Sequence, residues 1–396
     1  MAQQHVRKTF KYRLMLTPEQ EQTLETVLWH CRDLYNAALE ERKTAWERCH
    51  VSVTYYQQKA ELPDLKVACP EYAEVNAQVL QDVILRVERT FQAFFRRVQA
   101  GEKPGYPRFR GWGRYNAFTY PQYGGGAVLD GGVLSLSKIG RIPVRLHRPP
   151  QGTPKTVTIS REVDGWYACL SCAEVPVAPL EPTGQETGID LGLKSFATLA
   201  DGTMIHNPRC YRKAEVYLRR CQLRVARRKQ GTHRRWKAVK LLARAYQKVR
   251  RQRQDFHHKT ALQLVRQYDT IYLEDLQVRN MVRNPSLAKS ISDAGWSAFR
   301  TILEAKAAWA GRQVLAIPPA FTSQDCSGIL PDGSPCPERL QKALSVRTHV
   351  CPRCGLVLDR DANAARNILR LGKKQQLSGA GQAPQASTWV DAPSVA

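Results

Sequence analysis

No apolar run in the 396-residue chain approaches the ~18 residues that a bilayer span requires, so no membrane role is expected. An export signal is missing too. The opening MAQQHVRKTFKYRL alternates charge with apolar residues and has no hydrophobic signal core, so secretion is not expected. Acids are scarce: 35 Asp and Glu face 60 Lys and Arg, which leaves a formal charge of +25 and a pI near 9.8. A surplus of that size repels itself unless a polyanion neutralises it, and this points to nucleic acid. The 11 cysteines are odd in number and lack an export context, which argues against a disulfide scaffold and for a reducing compartment with metal binding. No internal repeat is evident. Apolar residues at 43% and charged residues at 24% are ordinary for a folded chain with room for roughly two to four domains.

Residues 7–16 (RKTFKYRLML) alternate as a strand, with Phe10, Tyr12 and Leu14 on one face. Thr17-Pro18-Glu19-Gln20 reads as a helix start, with Thr17 as N-cap, Pro18 in the first turn and Gln20 completing a capping box. Leu24, Leu28, Cys31, Tyr35 and Ala38 follow at helical spacing, and Leu80, Ile84, Val87, Phe91, Phe95 and Val98 mark a second helix. From about 105 to 178, short strand signals separated by turns such as Asp130-Gly131-Gly132 predict a β-barrel or small sandwich, which the 7–16 strand can join. From 187 the chain alternates strands and helices, as in an α/β sheet. Strands are expected near 187–199, at 270–274 and at 312–317, with basic helices at about 211–229 and 233–267 and a further helix over 293–311. The last residues, 373–396, are rich in Ala, Gly, Ser, Pro and Gln and read as disordered.

Cys351-Pro352-Arg353-Cys354-Gly355 has zinc-knuckle spacing, and Cys326 and Cys336 are the expected partners in a closed, structural four-thiolate site for one Zn²⁺. The nine residues between Cys326 and Cys336 exceed the usual two, but GILPDGSP is turn-forming and can bulge out without moving the ligands. His349 is an alternative ligand. Cys169 and Cys172, three positions apart in a strand, fall on opposite faces, and Cys31, Cys49, Cys69, Cys210 and Cys221 read as small apolar side chains.

Asp190 interrupts an apolar strand in GIDLG, Glu274 ends the strand IYLE, and Asp361 sits in the first turn of the helix after the cysteines. An ionised carboxylate in such a place is costly unless a cation compensates it. Three acids at the edges of one α/β unit suit a two-metal phosphodiesterase site holding two Mg²⁺. Taken singly, each has a plainer reading: Asp190 as a turn residue, Glu274 as a surface acid, Asp361 as a second helix cap. Residues 209–259 carry 19 Lys or Arg against Glu215 and Asp255, a local charge of +17. Apolar stripes at Ala214, Tyr217, Leu218, Cys221 and Val225, and at Trp236, Val239, Ala243, Tyr246 and Val249, would pack these helices together. Their cations, Arg227, Arg228 and Lys229 among them, are then left to track phosphates without reading sequence.

The motifs FKYRL, GYPRFRG, GIDLGLKSFATL, DFHHKTALQLVRQYDTIYLEDL, SISDAGW, TSQDC…CPRCG and DRDANAARNI occur in the order and spacing of TnpB. The chain resembles this family of RNA-guided nucleases, encoded by small prokaryotic insertion elements and related to the compact type V CRISPR effectors. The resemblance runs to Leu371. It implies an α+β multidomain protein: a wedge-like β-barrel (1–16 and 105–182), an inserted helical recognition domain (17–104), an RNase H-like RuvC nuclease domain (183–320 and 357–372) with an inserted zinc ribbon (321–356), and a tail (373–396). It further implies a catalytic triad of Asp190, Glu274 and Asp361 binding Mg²⁺, with Asp275 and Asp359 as neighbours rather than ligands. A guide RNA from the transposon end and double-stranded target DNA are the implied partners, and the prokaryotic cytoplasm, at the nucleoid when bound, is the implied location. By position, Tyr55, Gln81 and Thr119 match residues near the transposon-adjacent motif. A guide-dependent DNA-binding repressor is the alternative function, and it should have lost triad carboxylates. The single-strand transposases that accompany such elements need two His flanking one apolar residue, and no two of the nine histidines are so spaced.

Overall fold

A computed structural model describes residues 5–111, 113–343 and 345–378. The chain divides into two compact units, Met1–Pro176 and Val177–Ala396.

The first unit opens with β1 (His5–Leu14), whose alternation buries Phe10, Tyr12 and Leu14. The capping box then starts α1 (Pro18–Cys49): the Gln20 amide donates to Thr17 Oγ1 at 3.3 Å, and the Thr17 amide donates to Gln20 Oε1 at 3.2 Å. Two short helices, α2 (Tyr55–Ala60) and α3 (Leu62–Ala68), lead to α4 (Ala77–Gln99). That helix buries Leu80, Ile84, Val87 and Phe91 but leaves Phe95 and Val98 exposed, so its packed face stops about two turns earlier than the spacing suggests. Strands β2 (Ala117–Tyr120), β3 (Ala127–Asp130), β4 (Val133–Leu136), β5 (Gly140–Arg145), β6 (Thr153–Glu162) and β7 (Gly165–Pro176) follow. With β1 between β7 and β5, they make a nearly closed antiparallel sheet of order β2-β6-β7-β1-β5-β4-β3. In β7, Cys172 is buried and Cys169 only partly so, as the two faces of a strand require. Cys49 differs from the expectation of a small apolar side chain: it ends α1 exposed.

The second unit is built on a five-stranded sheet of order β10-β9-β8-β11-β12. Its members are β8 (Glu186–Leu191), β9 (Ser195–Leu199), β10 (Met204–His206), β11 (Thr270–Glu274) and β12 (Gln313–Ile317). The first three are antiparallel, whereas β11 runs parallel to both β8 and β12. Helices α5 (Cys210–Ala226) and α6 (His233–Gln267) connect β10 to β11, and α7 (Val278–Met281), α8 (Pro285–Ala294) and α9 (Trp296–Trp309) connect β11 to β12. The helix expected over 293–311 is α9, and a further helix, α8, precedes it. Gly295, at φ 66°, ends α8 in the left-handed conformation and starts α9, a break that glycine makes without steric cost. A two-stranded ribbon, β13 (Thr348–Val350) with β14 (Val357–Asp359), precedes α10 (Arg360–Leu377). Residues 373–377 are therefore helical and not disordered; the rest of the expected tail, 379–396, lies outside the described residues.

The α5–α6 packing also differs from the expected stripe. Leu218 of α5 packs with Ala245 and Val249 of α6, the last as expected, and Leu242 lies against them, but Trp236, Val239 and Tyr246 of the expected stripe are exposed. The smaller residues allow closer helix contact, so the bulky apolar side chains one step round the helix stay outside. Among the described residues no helix is long and apolar enough to cross a membrane.

Candidate active site

In the second unit, β8 and β11 lie side by side in parallel, with Leu273 opposite Ile189. The next residue on each strand is Glu274 and Asp190, so both carboxylates leave the same edge of the sheet. In open sheets with parallel strands this carboxyl-terminal edge is where ligands gather. The third carboxylate arrives on α10. That helix lies close over β8 because residue 188 is glycine: a Cβ there would stand 2.2 Å from the carbonyl oxygen of Ala365. A second close approach is at Gly372, where a Cβ would come within 2.1 Å of the Tyr272 ring. Asp361 lies one turn before Ala365, over the end of β8.

The three acids share one electrostatic environment. Burial pushes the Asp190 carboxyl well above the usual carboxylate range, the negative charges of Glu274 and Asp361 push it further, and Arg360 and Arg347 pull the other way. Glu274 is also raised by burial, against a hydrogen bond donated by the Thr322 hydroxyl. Asp361 accepts from Arg347 Nη2 at 3.3 Å. The neighbouring acids have other employment. Asp359 is the N-cap of α10, accepting from the Asp361 amide at 2.8 Å, so Asp361 is not the cap. Asp275 is ion-paired with Arg300 at 2.5 Å and half its side chain is in solvent.

The four cysteines converge. Cys326, Cys336, Cys351 and Cys354 place their sulfurs within 4.8 Å of one another, the one group of three or more metal-capable side chains to do so among the described residues. Cys326 and Cys354 are 3.5 Å apart, and Cys336 and Cys351 3.7 Å. Zn–S bonds of about 2.3 Å in a tetrahedron give S···S edges of roughly 3.8 Å, so the set fits Zn²⁺ and not a disulfide. The long Cys326–Cys336 spacing is absorbed by a small hairpin: Ile329 pairs with Pro335, and the Cys336 amide donates to Gly328 O at 2.9 Å. A Cβ on Gly328 would stand 2.5 Å from the Cys354 sulfur. His349, the alternative ligand, is buried beside Lys342 and outside the cluster.

Sequence reasoning missed the residues that tie this cluster to the carboxylates. Asn363 donates to Asp325 O at 2.8 Å and accepts from the Ser327 amide at 3.0 Å; Asn367 donates to Thr322 O at 2.9 Å. Both amides are buried, one turn apart on α10, amid alanines. That pairing was the available signal, since a buried amide must find partners. Arg347 gave none, lying in a loop whose destination only the fold reveals.

The remaining expected residues are dispersed. Tyr55 on α2 and Gln81 on α4 are half-buried. Thr119 on β2 is half-buried too, and its hydroxyl is occupied by Arg86 Nη2 at 2.8 Å and Thr158 at 2.9 Å. Arg227, Arg228 and Lys229 are exposed, but they form the turn after α5 and do not line a helix face.

With this geometry in view, the comparisons with known proteins decide the family. A protein of Streptomyces pristinaespiralis named "Putative RNA-guided DNA endonuclease" is 36% identical over 389 residues, covering 96% of this chain and 93% of its own length. The chain belongs to the TnpB family. An Escherichia coli K12 relative, named with the same words and InsQ, is 29% identical over 384 residues, 92% of each chain. Family profiles described as "Probable transposase", "Cas12f1-like, TNB domain" and "Helix-turn-helix domain" match residues 170–285, 296–368 and 1–50. The last label does not describe the local structure, where one strand and one 32-residue helix stand. The solved structure titled "Cryo-EM structure of the Cas12f1-sgRNA-target DNA complex" shares the fold at 14% identity, with a TM-score of 0.56 over 92% of this chain and 98% of that one.

Proposed function

We propose that this TnpB-family chain is the RNA-guided DNA endonuclease of an insertion element, with Asp190, Glu274 and Asp361 as the catalytic carboxylates. The observation that carries the reading is their convergence from β8, β11 and α10 into one electrostatically coupled site. The second unit then serves as an RNase H-like RuvC nuclease domain, with the 321–356 segment as its zinc ribbon. In the first unit, the nearly closed sheet corresponds to the wedge and the helices α1–α4 to the recognition domain. Tyr55, Gln81 and Thr119 remain assigned to the surroundings of the transposon-adjacent motif, and the α5–α6 cations to guide or heteroduplex phosphates.

The carboxylate site suits divalent cations. The charges of Glu274 and Asp361 raise the affinity of Asp190 for protons, and Arg360 and Arg347 oppose them, so positive charge is what the surroundings of Asp190 are short of. Asp190, Glu274 and Asp361 would hold Mg²⁺. Bound there, the metal supplies an activated water and stabilises the leaving 3′ oxygen. The protein's own part is positioning: Thr322 orients Glu274, Asp359 caps α10 so that Asp361 stays free, and Arg347 sets the Asp361 carboxylate. Cys326, Cys336, Cys351 and Cys354 would hold the structural Zn²⁺.

The test is reconstitution with RNA transcribed from the neighbouring transposon end and a matching target with a randomised flank. The native chain is expected to cut; Asp190→Ala, Glu274→Ala and Asp361→Ala are expected to bind guided DNA without cutting. Full cleavage by Asp190→Ala overturns the site. Guided binding without cleavage by the native chain makes it a repressor instead.

A further inference from the structure

A cavity of about 410 Å³ in the second unit shares Arg347 with the carboxylate site. Its walls carry Lys194, Arg209, Arg212, Lys289 and Arg347 against a single acid, Asp293. That acid is already engaged, because its two oxygens accept the backbone amides of Tyr211 at 2.8 Å and Arg212 at 3.2 Å at the start of α5. Glu215 offsets Lys289 at 2.6 Å and, more weakly, Arg212 at 3.9 Å. Lys194 and Arg209 have no ion-pair partner among the described residues. They are held on one wall by Asn207, which donates to Leu193 O and accepts from the Arg209 amide, both at 3.1 Å. Arg347 belongs to the cavity and to the triad at once, since it also reaches Asp361 at 3.3 Å.

We infer that this cavity is a phosphate subsite for a single nucleic-acid strand, taking a phosphodiester next to the one presented to the carboxylates. The inference rests on the nuclease reading of Asp190, Glu274 and Asp361 and deepens it. Converging cations with no free counter-charge define an anion site, and guanidinium groups match phosphate geometry. Of the ten lining residues only Leu193 and Tyr211 are apolar or aromatic, and the rest are charged or polar, so a phosphate is the group its side chains match best. Continuity through Arg347 argues for a strand and not for a free anion: a chain whose scissile phosphate sits at Asp361 must lay its neighbour along the same guanidinium. Phosphate contacts of this kind hold register without reading sequence.

The experiment uses the full chain without added Mg²⁺, so that no cleavage occurs, and without a chelator that would also take metal from the cysteine cluster, and follows a short fluorescent single-stranded DNA by anisotropy across a salt series. Lys194→Gln/Arg209→Asn removes the two unpaired cations, and Asn tolerates the φ of 48° at position 209. This variant is expected to bind at least about tenfold more weakly at low salt, with the slope of log K against log salt flattened by about 1.4, at ~0.7 per cation removed from a single-strand site. Lys103→Gln/Arg145→Gln, which removes the same charge elsewhere, is expected to match the native chain. Inorganic phosphate and a mononucleotide, tested as competitors at equal phosphate concentration, are expected not to displace the oligonucleotide. Equal binding by the cavity variant and its control overturns the inference; so does displacement by free phosphate, which would make the cavity a small-anion site. Failure of the nuclease reading would look different: no guided cleavage by the native chain, with charge-dependent strand binding intact.

Discussion

Gly188→Ala tests how the proposed catalytic constellation is held together, with one added methyl group. The φ of Gly188 lies outside the left-handed region, so alanine fits the backbone and only space opposes it. The obstacle is the carbonyl oxygen of Ala365, 2.2 Å from the new Cβ, with the Leu369 amide nitrogen at 2.5 Å. These are main-chain atoms of a hydrogen-bonded helix and cannot rotate aside. To reach the 3.0 Å floor that real Cβ atoms respect, α10 must withdraw from β8 by about 0.8 Å. Overpacking of this kind costs roughly 1–3 kcal/mol. In a unit of this size each kcal/mol lowers Tm by roughly 2–4 °C, so a fall of about 5 °C is expected. The functional loss should be larger in proportion. Asp361 rides on α10 while Asp190 stays on β8, and a misplacement near 1 Å between catalytic groups costs on the order of 100-fold in rate. The assay pairs thermal unfolding with guided cleavage and with guided binding, which should survive. Gly111→Ala is the control, because nothing lies within 4 Å of its Cβ position. An unchanged Tm together with unimpaired cleavage by Gly188→Ala would refute the argument that this close approach positions the third carboxylate.

Three further outcomes are expected. Elemental analysis should find one zinc per chain, absent from Cys351→Ser/Cys354→Ser, and this variant should cut at least about tenfold more slowly with Mg²⁺ in excess, because the same segment orients Glu274 and Asp361. His257 is buried among Phe196, Phe256 and Phe299, with Arg253 and His258 nearby, and its pKa is pushed down to about 4, chiefly by burial. The unfolded chain therefore takes up its proton first: stability is full above about pH 6.5, falls by roughly 2–3 kcal/mol on going to pH 4.5, and that share of the loss should vanish in His257→Gln unfolding curves. Reversal of Arg227, Arg228 and Lys229 to Glu should weaken every guide RNA alike and flatten the salt slope by about 0.7–0.9 for each phosphate no longer neutralised; a loss confined to one guide would mean that these residues read bases.

Local signals in the sequence were reliable where a short stretch contained its own physics. The alternation of β1, the Thr17–Gln20 capping box and the ends of α6 and β11 all depend on neighbours within a few residues, and the structure shows them. The four cysteines were legible because thiolates in such a polar segment have no competing apolar role. Asp190 and Glu274 stood out as charges in apolar strands, and the structure adds that they lie near the carboxyl ends of adjacent parallel strands. What stayed hidden depended on partners far along the chain. The inward face of α6 was chosen by small residues that fit against α5, not by the larger apolar side chains that dominate its periodicity. The continuation of α10 to Leu377 places Gly372 against Tyr272 and Gln376 against the Tyr272 hydroxyl, neighbours that composition does not encode. Arg347 is 14 residues from Asp361 and invisible as its partner until β13 and β14 fold back.

The wiring between the cysteine cluster and the carboxylates would let a metal held by the cysteines matter to chemistry it does not touch. Thr322 holds Glu274 and lies four residues before Cys326; Arg347 holds Asp361 and lies four residues before Cys351. Cys326 and Cys351 thus each anchor the end of a short lever whose other end holds one of the proposed catalytic acids. Asn363 and Asn367 clamp the first lever to α10 through the carbonyls of Asp325 and Thr322, the same helix that carries Asp361. Apart from its thiols the segment has little packing of its own, with Leu330 and Leu356 as the apolar side chains against the buried cysteines. A segment so poor in core would take its order from a metal held by its four thiols. Loss of the ion should therefore free both levers at once, and it should act on cleavage through the orientation of Glu274 and Asp361 while the sheet that carries Asp190 stays folded.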